Sequence, residues 1–434
     1  MTGIDKIVHA WHTIWFQDKN TLPLEVLRLG LGFLLFFNYV MLSPQDVLIL
    51  YSNDGLFSRD VVPEIQYLVS FSVFGLLDHP WQVLVFHYVF VLLCFCFFVG
   101  WQTSWVKWLV LLGHLSYFNR NELLFYGVDS VMVALLVPLC IAPVGNALSV
   151  DRIRQVAKHK IAYGLDQRPA LLNSYRGFAG QRLIQLQMAV IYYSSGVSKL
   201  RGETWLQGDA PWIAITNNET AFFPLGMFAH QYWMIQLMAY GTILIEIAYP
   251  FFIWQHKTRP YVLASALFLH VSIAVLLGMY YFATVMVFGH LAFMRREWYQ
   301  AAGQWWKRKV SRMEIIYDGA CGFCKNSMAL FLAFDGLNQI QTRNYRSDPS
   351  PLVPQEDLEH ALYTVVENKP PLAGFDAYRY VVLRTPGTWW FAPLYYIPIF
   401  SRLIGRAVYR WIADHRQQLS AGLFRSRKQT SKLS

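Results

Sequence analysis

A 434-residue chain that is 55% hydrophobic, 17% aromatic and only 15% charged lies outside the composition of a soluble globular protein. Its formal charge of +10 sits mostly in loops beside apolar runs, where anionic lipid would meet it, so no nucleic acid partner is implied. There is no Gly-rich dinucleotide or Walker loop, no Gly-x-Ser-x-Gly elbow and no His-Glu-x-x-His helix, which removes nucleotide chemistry, serine hydrolysis of that type and zinc proteolysis.

The first twenty residues, with Lys6, His9, His12, Asp18 and Lys19, lack the apolar centre of a signal peptide and read as a cytoplasmic segment, 1–21. From Leu22 onward, apolar runs of membrane-spanning length recur at 22–42, 81–101, 104–118, 123–144, 183–200, 233–254, 261–278 and 282–294. The expectation is a polytopic α-helical membrane domain of about eight spans over 22–296. The stretch 65–77 is apolar but short, and reads as interfacial or re-entrant.

Charge orients these spans. The loop 151–182 carries Arg152, Arg154, Lys158, Lys160, Arg168, Arg176 and Arg182. The segment 43–80 is acidic, with Asp46, Asp54, Asp60, Glu64 and Asp78 against Arg59. Basic loops inside and the acidic loop outside put both termini in the cytoplasm, as in a multi-pass protein of bacterial inner-membrane type.

Ionisable groups within the expected spans are Arg28, His87, His114, Asp129, Lys199, Glu246, His270 and His290. Arg28, with Glu25 one turn before it, reads as a structural ion pair as readily as a site. His87, His114 and His290 read as satisfied packing histidines. In the fifth span Gln185, Tyr192, Ser195 and Lys199 fall on one helical face, and a polar stripe in lipid must face a protein cavity. Lys199 is thus a candidate base, with a snorkelling lysine as the alternative.

After the last span, Trp298, Tyr299, Trp305 and Trp306 interleave with Arg and Lys as an interfacial linker, 297–312. Then Met313–Tyr317 reads as a buried strand, Asp318-Gly319 as a tight turn, and 324–334 as a helix. That order delivers Cys321 and Cys324 to a helix N-terminus, where backbone amides and the helix dipole favour an anion. Cys321 is the expected nucleophile, Cys324 the resolving thiol, and Asp318 a proton acceptor or a cap. A structural zinc pair is the rival, but no second Cys-x-x-Cys or His pair supplies the other ligands, and no metal is expected. Cys94, Cys96 and Cys140 lie in apolar runs and read as core or lipid-facing residues. Further on, 389–396 is aromatic and precedes a basic amphipathic stretch, 402–416, read either as a docking surface or as a core helix. A basic disordered tail closes the chain at 421–434.

Tyr317-Asp318-Gly319-x-Cys321-x-x-Cys324, with Gly374-x-Asp376-Ala377-Tyr378-Arg379 and Tyr409-Arg410-x-Ile412-Ala413-x-x-Arg416 downstream, resembles the DCC-type thiol-disulfide oxidoreductase-like family. The resemblance implies a small α/β thioredoxin-like domain at 313–420 with a redox-active Asp-Cys-Cys set.

A second resemblance covers most of residues 20–295. It is carried by Tyr51-Ser52-x-Asp54-Gly55-Leu56-Phe57, Arg120-Asn121, Gly127-x-Asp129, Tyr192 to Leu200 followed by Trp205-x-x-Gly208, Glu246-x-x-x-Pro250, and His270 before Phe282-x-x-x-Met286. Their order resembles that of the vitamin K-dependent gamma-carboxylases and the related horizontally transferred transmembrane domain. In that family the lysine matching Lys199 deprotonates vitamin K hydroquinone, whose oxygenation drives carboxylation of glutamate. Residues 119–122 hold no counterpart of the assisting histidine, and the large extracytoplasmic domain is replaced by the Cys-x-x-Cys region.

What carries over is proton abstraction from a lipophilic, vitamin K-type quinol in a cavity that includes Arg120, Asn121, Asp129, Gln185, Tyr192, Ser195, Glu246 and His270. The combined expectation is an integral membrane oxidoreductase using thioredoxin or glutathione as cytoplasmic thiol partner. The alternatives are a lipid-binding anchor that tethers a thiol reductase, and a carboxylase or epoxidase regulated by the dithiol.

Overall fold

The computed structural model describes residues 3–16, 21–56, 58, 71–121, 124, 126–170, 173–216, 231–309 and 311–423. In chain order the helices begin with α1 (Gly3–Trp15), α2 (Leu22–Val40), α3 (Pro44–Tyr51), α4 (Pro80–Val99), α5 (Thr103–Arg120), α6 (Gly127–Ile141) and α7 (Val150–Tyr163). They continue with α8 (Tyr175–Leu200), α9 (Glu203–Gln207), α10 (Ala210–Thr216), α11 (Tyr232–Phe252), α12 (Arg259–Leu277), α13 (Tyr280–His290) and α14 (Arg296–Lys309). The rest of the chain alternates: β1 (Met313–Tyr317), α15 (Gly322–Phe334), β2 (Ile340–Asn344), α16 (Gln355–His360), β3 (Tyr363–Val366), β4 (Leu372–Ala373), α17 (Gly374–Arg384), α18 (Ala392–Tyr396) and α19 (Gly405–Leu423). These elements form two compact units, Met1–Val150 with Leu171–Met294, and Asp151–Ala170 with Arg295–Ser434.

The first unit is helical. Its helices start where the sequence supplies caps: proline in the first turn of α2, α3 and α4, and a reciprocal Ser43–Asp46 capping box at α3. Its core joins Leu24, Leu27 and Leu31 of α2 to Phe90 and Phe97 of α4 and to Met132 and Leu135 of α6. Arg28 is fully buried, yet its guanidinium donates to the carbonyls of Phe97 and Phe98, both at 2.7 Å, and of Leu148 at 2.6 Å. It therefore adds donors to the carbonyls at the end of α4, while Glu25 lies 3.6 Å away and accepts from the Asn146 amide.

The expected eight spans are not supported. Among the described residues four helices are long and apolar enough to cross a membrane: α2, α4, α11 and α12. The other expected spans fall on α6 with 15 residues and α13 with 11, short of the ~20 needed for the hydrocarbon core. The remaining two fall on α5 and α8, which carry Lys107, His114 and Arg120, and Arg182, Gln185 and Lys199. Of the stretch 65–77, residues 65–70 lie outside the described residues, and Val73–Leu76 is one 3-10 turn that buries Phe74 against Tyr51 and Tyr117.

The second unit is a mixed four-stranded sheet, in the order β2-β1-β3-β4, with helices packed on it. β1 runs parallel to β2, with Met313 opposite Ile340, and antiparallel to β3, which pairs antiparallel with β4. The parallel pair needs a crossover, and α15 supplies it. Alternation along β1 divides the core: Met313 and Ile315 pack with Met328, Leu332 and Val381, whereas Ile316 packs with Tyr345, Val353 and Leu358. Residues 151–170, which lie inside 22–296 as read from sequence, belong to this unit. Leu165 enters the sheet core, Arg168 donates to the Asp335 carbonyl and to Asn338, each at 2.5 Å, and Arg152 donates to the carbonyls of Pro169 and Ala170. The expected linker 297–312 is largely helix α14, whose Trp306 meets Trp389 edge to face. Of the tail, α19 extends to Leu423 and residues 424–434 lie outside the described residues.

Candidate active site

Strand β1 ends at Tyr317, and the chain turns through Asp318-Gly319-Ala320 into α15 with Cys321 as its N-cap. Gly319 is required there by space: a Cβ at this position would lie 2.3 Å from the Asn344 side chain. Asn344, at the end of β2, accepts from the amides of Gly319 at 3.0 Å and Arg346 at 3.2 Å, fixing the turn against the neighbouring strand. Asp318 is buried and accepts from the Ala320 amide at 2.9 Å. Arg346 grips the same carboxylate with Nε at 2.5 Å and Nη2 at 3.1 Å. That bidentate guanidinium holds the Asp318 carboxyl below its ordinary range, so at neutral pH it is an ionised cap with its oxygens engaged.

The two thiols are in contact. Cys321 Sγ accepts from Cys324 Sγ at 2.7 Å and from the Cys324 amide at 3.2 Å. The hydrogen bond from the Cys324 thiol, aided by that amide, lowers the Cys321 thiol from 9.0 to about 6 against the opposing effect of burial. The same bond pushes the Cys324 thiol up, since its proton is held by the neighbouring sulfur. Cys321 is therefore the thiolate at neutral pH, and Cys324 keeps its proton. Among the described residues no group of three or more His, Cys, Asp or Glu side chains is set to hold a metal.

Beside Cys324 opens a cavity of about 290 Å³, walled by α15, α17, α19 and the segment that leads into α19. The downstream motifs build this wall: Tyr378 packs on Phe331 and Tyr409, the Tyr409 hydroxyl accepts from the Leu362 amide, and Asp376 pairs with Arg406. Arg416 reaches the rim, donates to the Glu359 carbonyl, and its charge lowers both thiols. Arg346, Asn344 and the function of Arg416 were not legible from sequence. Arg416 stands in the downstream Tyr409–Arg416 motif, but Asn344, which ends β2, and Arg346, just after it, carry no local signal.

In the helical unit Tyr192, Ser195 and Lys199 of the α8 stripe meet residues of four other elements, α9, α11, α12 and α13. Lys199 Nζ lies 2.9 Å from each Glu246 oxygen, 2.7 Å from Ser195 Oγ and 5.0 Å above the Trp205 ring. Gly196 makes this approach possible, because a Cβ there would meet Ile247 at 2.8 Å on α11. Three residues before Ser195, Tyr192 is hydrogen-bonded to His270 at 2.7 Å and to His290 at 3.1 Å. His290 Nδ1 faces the Met286 carbonyl and so carries the proton, its Nε2 accepts from the Tyr192 hydroxyl, and His270 Nε2–H donates to that hydroxyl.

The other expected cavity residues lie apart in separate bonding sets. Gln185 donates to the Ala292 carbonyl at 2.7 Å. Arg120 donates to the carbonyls of Tyr51 and Ser52, and Asn121 to that of Leu50, fastening the end of α3. Asp129 caps α6 by accepting from the Tyr126 amide. His87 and His114 are hydrogen-bonded to Tyr117 and Tyr39.

A Cys-x-x-Cys pair at the first turn of a helix that follows a β-strand, with one sulfur held as thiolate, defines a thiol-disulfide redox site. The comparison with protein families agrees: residues 315–421 match the DCC1-like thiol-disulfide oxidoreductases, and the chain carries a domain of that kind there. No curated protein and no solved structure matches the chain.

Proposed function

We propose that the chain is an integral membrane thiol-disulfide oxidoreductase. The observation that carries the reading is the Cys321 sulfur, held as thiolate by the Cys324 thiol and amide at the start of α15. The Cys321 thiolate attacks one sulfur of a substrate disulfide, and the first substrate thiol leaves. Cys324, giving up its proton, then attacks Cys321 Sγ, closes the Cys321–Cys324 disulfide and releases the second thiol. A thiol partner of thioredoxin or glutathione type returns the two electrons. The β1-α15-β2 crossover followed by a β3-β4 hairpin and α17 favours a thioredoxin-like domain.

Membrane insertion through the apolar helices is favoured by side chains that point outward, such as Leu244 and Phe268, about seven-tenths exposed. Basic loops favour termini on the cytoplasmic side. The test is turnover of a disulfide by the full-length protein with a dithiol reductant. Cys321→Ser should lose about a thousandfold or more, and Cys324→Ser should accumulate a mixed disulfide on Cys321. Accumulation on the other cysteine, in Cys321→Ser, would reverse the roles.

A second reading concerns the Lys199–Glu246 pair. Proton transfer across its 2.9 Å contact would leave a neutral amine, the form in which Lys199 would act as base toward a lipophilic quinol. Under this reading Lys199→Ala abolishes conversion of a vitamin K-type quinol while dithiol turnover persists. Quinol conversion that survives the substitution removes it.

A further inference from the structure

The thiol-disulfide reading leaves open what the dithiol acts on, and the cavity beside Cys324 bears on that. Its volume is about 290 Å³, whereas an engineered cavity of roughly 150 Å³ holds benzene. One or two rings therefore fit. Its lining is dominated by apolar and aromatic side chains, among them Phe331, Phe375, Tyr378 and Tyr395. Of the charged groups at its edge, the Asp318 carboxylate is held by Arg346, and Arg416 gives one donor to the Glu359 carbonyl. The wall is continued by Phe400, Val408 and Ile412, again apolar.

Resting on the thiol-disulfide reading, we infer that the cavity receives an aromatic or otherwise bulky apolar group attached to the substrate's disulfide, and that the site selects apolar disulfides over glutathione disulfide. A glutathione moiety would bring two carboxylates and an ammonium to a wall that offers them few partners, and each would lose hydration without replacement. An aromatic group instead leaves water and meets ring faces. With this group seated along Cys324, the adjacent substrate sulfur is brought to the Cys321 thiolate, whose sulfur lies 2.7 Å from that of Cys324. The electron balance is that of simple exchange: the apolar disulfide is reduced to two thiols, the enzyme dithiol is oxidised to its disulfide, and an added dithiol such as dithiothreitol restores it.

The test uses the reduced full-length protein and follows single-turnover oxidation by 4,4′-dithiodipyridine and by hydroxyethyl disulfide. Two variants narrow the cavity, Ala413→Phe from its wall and Leu330→Trp from its half-exposed edge, the second chosen because it disturbs no packed core. The ratio of the aromatic to the hydroxyethyl rate should fall about tenfold in each, the usual scale for closing an apolar pocket. A ratio unchanged in both variants, with oxidation still dependent on Cys321, overturns the inference and leaves the thiol-disulfide reading standing. Oxidation independent of Cys321 removes that reading itself. A parallel pair of peptide disulfides, with Phe or Gly beside the cysteine, tells whether the apolar group comes from a small molecule or from a protein. A Phe preference that is lost in the variants supports the inference with a protein source, and its absence while the small aromatic disulfide is still preferred supports it with a small molecule.

Discussion

The dithiol of the C-terminal unit and the Lys199 cluster of the helical unit are both small polar groups set among apolar side chains, but their bonding capacity is spent differently. Lys199, Ser195 and Glu246 satisfy one another, and Tyr192, His270 and His290 form a directed chain that ends on a backbone carbonyl. At the dithiol, the hydrogen bonds converge on one sulfur and stabilise its charged, reactive form, and a cavity opens next to its partner. Residue type alone does not separate the two regions. A group held in a reactive state beside open space is a site, whereas a group whose partners close around it is accounted for by packing until chemistry is shown.

This contrast can be broken at its structural side first. If the Lys199–Glu246 pair is mainly an internal counter-charge, Lys199→Ala leaves a carboxylate with a side chain only 10% exposed unpaired. The helical unit should then lose about 2–4 kcal/mol, somewhat less than for a fully buried pair. Thermal unfolding in lipid nanodiscs would show this, and Lys199→Met with Glu246→Leu should recover most of the loss. Unchanged melting of Lys199→Ala would mean that the pair contributes no stability.

At the dithiol, Gly319→Ala should strain the turn, because the added methyl meets an Asn344 side chain already held by two amides. A cost of about 1–3 kcal/mol is expected, visible as faster hydrogen exchange over β1 and the start of α15. The smallest effect belongs to Arg346→Ala. Asp318 would keep its charge without the Arg346 guanidinium to offset it, and that charge raises the Cys321 thiol. The Cys321 titration should move up, and labelling at pH 6 should slow by about two- to threefold. An unmoved titration would leave Arg346 a purely structural clamp.

The sequence made the local features plain and the long-range ones opaque. The strand at Met313–Tyr317, the turn and the helix that receives the cysteines follow from an apolar run, a Gly and a 3.6-residue period, all short-range signals. The α8 stripe was legible for the same reason, since Gln185, Tyr192, Ser195 and Lys199 repeat at helical spacing. Arg346 gripping Asp318, and Arg120 and Asn121 fastening α3, depend on contacts from 28 to 71 residues apart that no pattern encodes. The count of eight spans lacks support because α6 and α13 are apolar yet short, and α5 and α8 are long yet carry charged groups. Residues 151–170 misled through their charge, which reads as a lipid-facing loop although Arg152 and Arg168 donate to carbonyls within the C-terminal unit.

The Cys321 thiolate is tested by the pH dependence of alkylation in the reduced full-length protein, with mass spectrometry resolving the two thiols. A thiolate held by its neighbour reacts once the pH passes its own titration, so Cys321 should be labelled first, with a midpoint near 6, while Cys324 stays protected. Labelling of Cys324 first, or a Cys321 midpoint at the ordinary value of 9.0, would contradict the account.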